Sequence, residues 1–595
     1  MRVRAFLMAC CLVPFALQAQ EPENNAVPEV IIDPGGVAPE ALKAIHGAVD
    51  AITRLAEDQD LEEVSRLRRR AHDATVSALE TQGYFDAVVN LEVGEDYQGE
   101  TWDIVIQPGE RTLVKTVTIN FSGRITEPEF DERVTNLRQH WPLKPGEIFL
   151  NKEWSDAKSD LLQKVKSKDF YYARYNHTRA LVTADLSQAD LDLDIKSGPR
   201  VRMGELYTTG LQRVPESLVH RYVTYTPGEP YDQEKLDNWQ QALQSTTFFR
   251  GAFVTLDENS AEQEVNDEGE VELPVLVRVT EAPARRFTGS IGADSDNGPR
   301  LEALYRQNIV FGLPVWVETG LGLDKNRQRL FADMHLPPTV SGFRNSLGVL
   351  YDHQDLEGLK QTRAAAGVKT KYDFATSGRA DYESQASLMG VLDESKVRGE
   401  TSALRSTSLE LTGQILRRDV DNKYDPRQGN LVELGLGVNY PLEKKYSTLY
   451  RASLRSQFWF PVGNEDVFML RAEAGKVWPN SERIPMGFGF RTGGARSIRG
   501  YKYQSIGISR ASATVGAPAM AVLSAEYQHF FNSTFGMSVF MDVGDAAESF
   551  KAMSPHLGYG VGAAMRTPAG PFYVDLAYGQ KTHDIRLHFS LGIAF

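Results

Sequence analysis

The second half of the chain alternates between apolar and polar residues with a period of two. In Leu431–Tyr440 and in Tyr450–Phe460, apolar residues alternate with glycine, asparagine, glutamate, serine or arginine. Successive side chains of a strand point to opposite faces, so each segment predicts a strand with one apolar and one polar face. A soluble β-sandwich could show this pattern, but it rarely uses the roughly 310 residues involved here. We therefore predict, for residues 285–595, a transmembrane antiparallel β-barrel of about 16 strands with lipid outside and a wet lumen.

The last predicted strand, Ile585–Phe595, shows the alternation most clearly and finishes on an aromatic residue, as is typical of outer-membrane barrels. Gly592 lies close to this end, and a glycine weakens the interior of a strand. To close the barrel, this strand must meet the first one, near Phe287–Ala293. We predict that their junction, called the seam, is weakly paired, with Gly592 and Phe595 as its candidate residues.

The first half repeats a small unit three times. Each unit has an extended segment, two helical stretches, an aromatic cluster and then two alternating strands. The helices predicted before the aromatic clusters are Val64–Gln82, Glu153–Lys168 and Gln233–Ser245. The strand pairs predicted after the first two clusters are Ala87–Val93 with Thr101–Ile106, and Leu181–Leu186 with Asp190–Ile195. The repeat period exceeds that of solenoid proteins, which indicates separate α+β domains.

This β-α-α-β-β order resembles the POTRA (polypeptide-transport-associated) domain. The resemblance implies a three-stranded sheet whose exposed edge can take up an extended peptide, although a plain spacer domain would show the same pattern. The expected boundaries are residues 20–112, 113–199 and 200–284.

The amino-terminal residues have the pattern of a secretory signal. Arg2 and Arg4 precede an apolar run that ends before Ala19, and we expect cleavage after Ala19, so that residues 1–19 form a signal peptide. Cys10 and Cys11 are the only two cysteines, so the mature chain can form neither a disulfide nor a thiolate metal site. A lipoprotein signal with Cys10 as the acylation site is an alternative. The formal net charge of −14 becomes more negative after cleavage, which argues against nucleic acid as a partner.

The segment Trp478–Ala519, called the lumen loop, shows neither strand nor helix periodicity. A structureless loop of this length is usually functional or disordered. Its apolar anchors, including Ile498 and Tyr501, argue against a disordered linker. We predict that it folds back into the barrel, where the planar guanidinium of Arg499 binds an acid on the wall. We expect the loop held in this way to brace the wall opposite the seam. A flexible surface loop is the alternative.

Two acids belong to the polar faces of predicted barrel strands. Asp542 stands in Phe540-Met541-Asp542-Val543-Gly544, and Glu526 lies on the polar face of the preceding strand. Together with Ser497-Ile498-Arg499-Gly500-Tyr501, these motifs resemble the superfamily of BamA, TamA and the two-partner secretion transporters. By that resemblance Arg499 pairs with Asp542, and Glu526 lies nearby. We call the contact of Arg499, Gly500 and Tyr501 with Asp542 and Glu526 the latch. Leu523 departs from the family pattern, in which many members have a glycine.

The resemblance also implies a function. Three units before the barrel suit the TamA branch, which assists the assembly of autotransporters and other outer-membrane proteins. The implied location is the outer membrane of a Gram-negative bacterium, with the POTRA domains in the periplasm. The implied partners are a TamB-like inner-membrane-anchored periplasmic protein, unfolded outer-membrane proteins and outer-membrane lipids. A conduit for phospholipid or for a secreted polypeptide is the alternative, and a passive porin is a third possibility.

Catalytic and metal motifs do not stand out. The sequence has no H-E-x-x-H motif, nucleophile elbow or phosphate-binding loop. Asp294-Ser295-Asp296-Asn297-Gly298 is similar to a calcium loop, but its glycine comes one position early, which favours a tight hairpin turn. Asp419, Asp421 and Asp425 are better explained by a hydrogen-bonded turn than by a cation site. We therefore expect no enzyme activity and no cofactor.

Overall fold

The computed structural model describes residues 27–56, 59, 61–96, 99–259, 266, 269–374, 378–463, 465–479, 484–485, 487–567 and 570–594. The predicted signal peptide, both cysteines and Phe595 lie outside these residues. The chain divides into two compact units. One comprises the residues up to Leu206 with 225–236 and 256–275, and the other comprises 207–224, 237–255 and 276–595. Among the described helices, none is long and apolar enough to cross a membrane.

Three small α+β units precede the barrel, and each has a three-stranded sheet. In each sheet the third strand in chain order lies between the other two. The elements of the first unit are β1 (Glu29–Asp33), α1 (Pro39–Thr53), α2 (Leu61–Thr81), β2 (Val88–Asp96) and β3 (Gly99–Gln107). Those of the second are β4 (Leu113–Ser122), α3 (Asp131–Gln139), α4 (Asn151–Lys166), β5 (Arg174–Thr183) and β6 (Gln188–Lys196). Those of the third are β7 (Arg200–Thr209), α5 (Ser217–His220), α6 (Gln233–Gln244), β8 (Phe249–Leu256) and β9 (Glu270–Glu281).

Helices cover the sheets because their apolar stripes match one apolar face of each sheet. In the first unit, Ile45 and Leu79 of the helices join Trp102 and Ile104 of β3 in a buried core. The order β-α-α-β-β predicted for each unit is confirmed. One strand prediction was displaced, because β5 begins at Arg174, directly after the aromatic cluster, and residues 184–186 form a short 3-10 turn instead of strand.

The second half is a closed antiparallel barrel of sixteen strands, as the alternation predicts. The first eight strands are β10 (Arg285–Asp294), β11 (Gly298–Val310), β12 (Leu313–Asp324), β13 (Arg327–His335), β14 (Arg344–Leu356), β15 (Leu359–Phe374), β16 (Asp381–Val397) and β17 (Leu404–Val420). The others are β18 (Gly429–Pro441), β19 (Leu449–Val462), β20 (Asp466–Trp478), β23 (Ala519–Phe530), β24 (Phe535–Ala547), β25 (His556–Thr567), β26 (Gly570–Gly579) and β27 (Asp584–Ala594).

The two faces of the barrel wall differ as expected for a protein between lipid and water. On β24, Met537, Val539 and Met541 are about half exposed on the outer face, whereas Ser538 and Asp542 are buried on the inner face. On β23, the inner face carries Ser524, Glu526 and Gln528. The polar residues of the wall therefore converge on the lumen, where the lumen loop is also found.

The lumen loop connects β20 to β23, and backbone pairing within the loop and apolar packing against the wall fix its conformation. It contains a two-stranded hairpin, β21 (Ile508–Arg510) and β22 (Ala513–Val515), which the sequence pattern did not predict. A bridge between Thr492 and Ile506 closes the segment that carries Arg499. Ile498 and Tyr501 are buried in an apolar cluster with Ile506 and Val522 of the wall. We call the end of the barrel from which this loop enters the loop end, and the opposite end the turn end.

Candidate functional site

Arg499 lies inside the barrel and is bound to Asp542 of β24. The Nε atom of Arg499 donates to Asp542 Oδ2 at 2.8 Å, and Nη2 donates to Asp542 Oδ1 at 3.1 Å. The backbone N–H of Arg499 donates to the same carboxylate at 3.0 Å. Ser524, which stands opposite Asp542 in the register of β23 and β24, also donates to it. This is the bidentate arrangement in which a planar guanidinium binds a carboxylate most strongly.

Two further carboxylates bind the same guanidinium. Arg499 Nη1 donates to Glu526 Oε2 of β23 at 2.7 Å and to Asp575 Oδ2 of β26 at 3.1 Å. Glu526 therefore takes part in the latch with Leu523 at the position where the sequence departs from the resemblance. Asp575 was not predicted. Arg499 thus connects three strands of the wall through charge-assisted hydrogen bonds.

The guanidinium also lies over the ring of Phe540, with 3.4 Å between Cζ of Arg499 and the ring centroid. This cation–π contact accounts for the phenylalanine of the Phe540–Gly544 motif. Arg499 is 5% exposed and Asp542 is 0% exposed. Both partners of this ion pair are therefore removed from water.

Glycines on β25 make room for the latch. Gly558, Gly560 and Gly562 face the lumen at every second position. A Cβ atom would lie 1.9 Å from the carbonyl oxygen of Arg499 at Gly558, 2.7 Å from the ring of Phe540 at Gly560, and 2.1 Å from Asp575 at Gly562. No side chain fits beneath the latch, which explains this run of alternate glycines. The sequence shows this run of alternate glycines, but the period-two pattern does not indicate that they make room for the latch.

Gly500 and Tyr501 anchor the tip of the loop to the last hairpin of the barrel. Gly500 has a φ of +90°, and a Cβ atom there would lie 2.6 Å from the backbone nitrogen of Gly579, so only glycine fits. The hydroxyl of Tyr501 donates to the carbonyl of Leu557 at 2.9 Å and accepts from the N–H of Lys581 at 3.1 Å.

The loop tip also contacts both sides of the seam. The N–H of Ala495 donates to the carboxylate of Asp296, in the turn after the first barrel strand, at 3.1 Å. The N–H of Gly500 donates to Nε2 of His588, on the last strand, at 3.0 Å. These two contacts are called the clasp. We expected the loop to brace the wall opposite the seam. The structure contradicts this, because the tip reaches across β27 to the turn after β10.

The two halves of the last strand, β27, pair with different neighbouring strands. Residues 584–589 of β27 pair with β26, from Gly579↔Asp584 to Val574↔Phe589. Residues 590–594 pair instead with β10, from Asp294↔Ser590 to Ser290↔Ala594. The seam thus has five residue pairs, whereas β10 and β11 share ten. Gly592 stands opposite Gly292 in the middle of these five pairs.

Four strand edges near the seam have no ladder partner on one side among the described residues. Three lie at the turn end, namely Arg285–Gly289 of β10, residues 570–573 of β26 and residues 590–594 of β27 on its β26 side; the fourth, residues 584–588 of β27 on its β10 side, lies at the loop end. Ser295 and Phe589 exchange two hydrogen bonds, at 3.0 and 3.3 Å, which extend the seam by one position beyond Asp294. The contacts between β10 and β27 therefore reach the turn after β10 and leave the turn-end half of β10 unpaired.

The other predicted motifs form turns. Asp294 Oδ1 accepts from the N–H groups of Asp296 and Asn297, which builds the hairpin turn before Gly298. Asp421 accepts from the N–H groups of Arg427 and Gln428 between β17 and β18. Within the described part of the chain, no group of three or more acidic, histidine or cysteine side chains is arranged to hold a metal ion.

Comparison with known proteins relates the barrel to one superfamily. Residues 313–595 match the model of the Omp85 superfamily domain. The outer membrane protein assembly factor BamA of Neisseria meningitidis serogroup B is 22% identical over 462 residues, which cover 72% of this chain and 55% of that protein. BamA of Nitratidesulfovibrio vulgaris is 22% identical over 549 residues, covering 86% of this chain and 66% of that protein. The chain thus spans between about half and two thirds of the length of these relatives.

A solved structure shares the fold. The crystal structure of BamA from Haemophilus ducreyi lacking POTRA domains 1–3 superposes with a TM-score of 0.67 at 14% identity, covering 81% of this chain and 100% of that one. The Omp85 fold of the barrel and the POTRA-like form of the three preceding units are thereby shown. The relatives named here are BamA proteins, so the resemblance to the TamA branch stays a prediction.

Proposed function

We propose that this chain, which carries an Omp85 superfamily domain, works in an outer membrane as an insertase or translocase that assists the assembly of other β-barrel proteins. The observation that carries the proposal is the pairing of the last strand, half with β26 and half with β10. Its mechanism is physical and needs no catalytic group. The BamA relatives support the same class of function, because their names describe outer-membrane protein assembly.

The unpaired strand edges explain how a client strand would be received. A backbone N–H or C=O group that faces hydrocarbon without a partner costs several kcal/mol, which is why membrane barrels are closed. Arg285–Gly289 and residues 570–573 present such groups on either side of the seam. An extended client segment that pairs with one of these edges satisfies them. The seam then templates the first strand of the client inside the bilayer.

The latch and the clasp define the state from which opening starts. Arg499 fixes the lumen loop to β23, β24 and β26, and the clasp ties it to β27 and to the turn after β10. We propose that this loop holds the seam closed at the loop end while the turn end stays available. Opening the seam then requires loss of Ala495–Asp296, where one N–H is shared between two carboxylate oxygens at 3.1 and 3.3 Å, or of Gly500–His588, a single hydrogen bond.

The finer assignment rests on the number of units before the barrel. We propose that the chain acts like a TamA protein on autotransporters, with POTRA domains at residues 20–112, 113–199 and 200–284 in the periplasm of a Gram-negative bacterium. A TamB-like partner and outer-membrane lipids complete this proposal. A conduit for phospholipid or for a secreted polypeptide is the alternative function, and it uses the same seam.

Reconstitution separates these functions. Purified chain in liposomes receives a urea-unfolded autotransporter barrel, and insertion is followed by protease protection and by heat-modifiable mobility in gels. We expect insertion to be at least several-fold faster than in empty liposomes. Transfer of a fluorescent phospholipid between leaflets is measured in the same liposomes. Unchanged insertion together with accelerated lipid transfer would overturn the insertase proposal and support the conduit.

A further inference from the structure

A cavity in the loop-end half of the lumen has no role in the proposed function. It has a volume of about 520 Å³ and lies between the wall from β13 to β20 and the lumen loop. Small-molecule sites commonly have this size. Six of its lining residues are arginines, namely Arg327, Arg329, Arg363, Arg451, Arg491 and Arg496. The lining is therefore strongly cationic although the chain as a whole is acidic.

Two of the six lining arginines, Arg327 and Arg363, are already paired with acids at the cavity. Asp352 accepts from Nε of Arg327 at 2.8 Å and from its Nη2. Arg363 is bound by Asp393 and Glu410 through four hydrogen bonds between 2.8 and 3.1 Å.

Glu473, the other acid of the lining, lies 3.7 Å from Arg455 and 3.8 Å from Arg471. Four lining arginines remain without a carboxylate within 4 Å among the described residues. They are Arg329, Arg451, Arg491 and Arg496.

Arg451 and Arg491 are the best placed of these four. The guanidinium of Arg451, on β19, lies 4.8 Å over the ring of Phe490, the residue before Arg491. Among the described residues, Arg491 Nη2 donates only to the amide oxygens of Gln354 and Gln361, both at 3.5 Å. The Nε atom of Arg451 and the Nη1 atom of Arg491 are buried with no hydrogen-bond partner in the described part of the chain.

An uncompensated charge away from bulk water is unfavourable, and a guanidinium is best satisfied by an oxyanion that accepts two parallel hydrogen bonds. Arg451 comes from the wall and Arg491 from the loop, and both line this one cavity. We propose that this cavity binds an oxyanion of the phosphate class, free or as the phosphorylated head of a small amphiphile, between Arg451 and Arg491. Bound there, the anion joins the lumen loop to β19, a strand other than the three that Arg499 connects.

The site is independent of the insertase proposal, and its test measures binding. Full-length protein in detergent, free of phosphate, is titrated by calorimetry with inorganic pyrophosphate and, in a second arm, with dihexanoyl phosphatidic acid. Sodium chloride of equal ionic strength is the reference. We expect saturable binding of at least one of the two probes, and the arm that binds identifies the source of the phosphate.

Variants decide whether the two arginines form the site. Arg451→Gln with Arg491→Gln should weaken binding at least about tenfold, because both bidentate contacts are lost. Arg451→Lys with Arg491→Lys keeps the charge but not the fork and should lose part of the affinity. Arg344→Gln, whose ion pair with Asp373 lies outside the cavity, is the matched control. Absence of binding in both arms, or unchanged affinity in either double variant, would overturn the proposal.

Discussion

Replacing Arg499 with methionine should destabilise the barrel far more than the loss of a surface ion pair. The change leaves Asp542, Glu526 and Asp575 together without their common cation, and these residues are 0%, 5% and 7% exposed. Removing one partner of a buried pair typically costs about 3–5 kcal/mol, whereas an exposed pair contributes about 0–1 kcal/mol. The lost contact with Phe540 adds about 0.5–2 kcal/mol. We therefore expect a loss of at least about 3 kcal/mol, which is more than a hundredfold in the folding equilibrium.

Urea unfolding of the purified barrel in lipid vesicles, followed by tryptophan fluorescence and by mobility in gels, measures this loss. A second variant, Arg499→Met with Asp542→Asn and Glu526→Gln, removes most of the uncompensated charge and should recover part of the stability. Arg405→Met, at an exposed ion pair with Glu394, is the matched control and should change little. A loss of less than about 1 kcal/mol for Arg499→Met would show that the latch is not a buried ion cluster.

Three further perturbations follow from the same structure. Asp296→Ala removes the carboxylate that accepts from the N–H of Ala495, so paired cysteines across the seam should cross-link more slowly, while unfolding in urea changes little. Unchanged cross-linking would show that the clasp does not hold the seam closed. Gly558→Ala would place a methyl group against the carbonyl of Arg499, so it should destabilise the barrel in urea as Arg499→Met does without removing a charge, and unchanged unfolding would contradict the close packing. Burial would raise the pKa of Glu281, but N–H groups of residues 212–214 and the Arg213 guanidinium lower it to about 2. Its contribution to stability is therefore complete above about pH 4.3 and lost as the pH falls towards 2; the protection factors of amides 212–214 against hydrogen exchange should fall below pH 4 in the native chain and not in Glu281→Gln.

The sequence predicted the architecture because both of its signals are local. Alternation with a period of two fixes which side chains of a strand share a face, and this gave sixteen strands with Asp542 and Glu526 on the lumen side. The motif around Arg499 then gave one ion pair by resemblance. In the α+β units the aromatic clusters marked the end of each helix. The start of β5 was misplaced because Arg174–Ala180 alternate too weakly to be recognised as strand.

The remaining site residues depend on register and on long-range contacts, which alternation does not encode. Asp575 and His588 are ordinary polar residues of lumen faces, and only the stagger of β26 and β27 brings them to Arg499 and Gly500. Asp296 is separated from Ala495 by 199 positions. The division of β27 between two neighbouring strands likewise follows from register. Gly592 indicates a weakened strand, but it does not indicate which residues of β27 pair with β26 and which pair with β10.

The account depends on a seam that can open, and a disulfide across that seam tests it most directly. Gly292 and Gly592 face each other in the antiparallel ladder, where Cα atoms are about 4.5–5.5 Å apart, within the range of a disulfide. Gly292→Cys with Gly592→Cys, in a background with Cys10→Ser and Cys11→Ser, is compared with Ala366→Cys and Gly390→Cys, which lock the fully paired β15 and β16. We predict that oxidation of the seam pair abolishes insertion of the unfolded barrel into liposomes, that reduction restores it, and that the control pair has no effect. Full insertion by the oxidised seam variant would contradict the account.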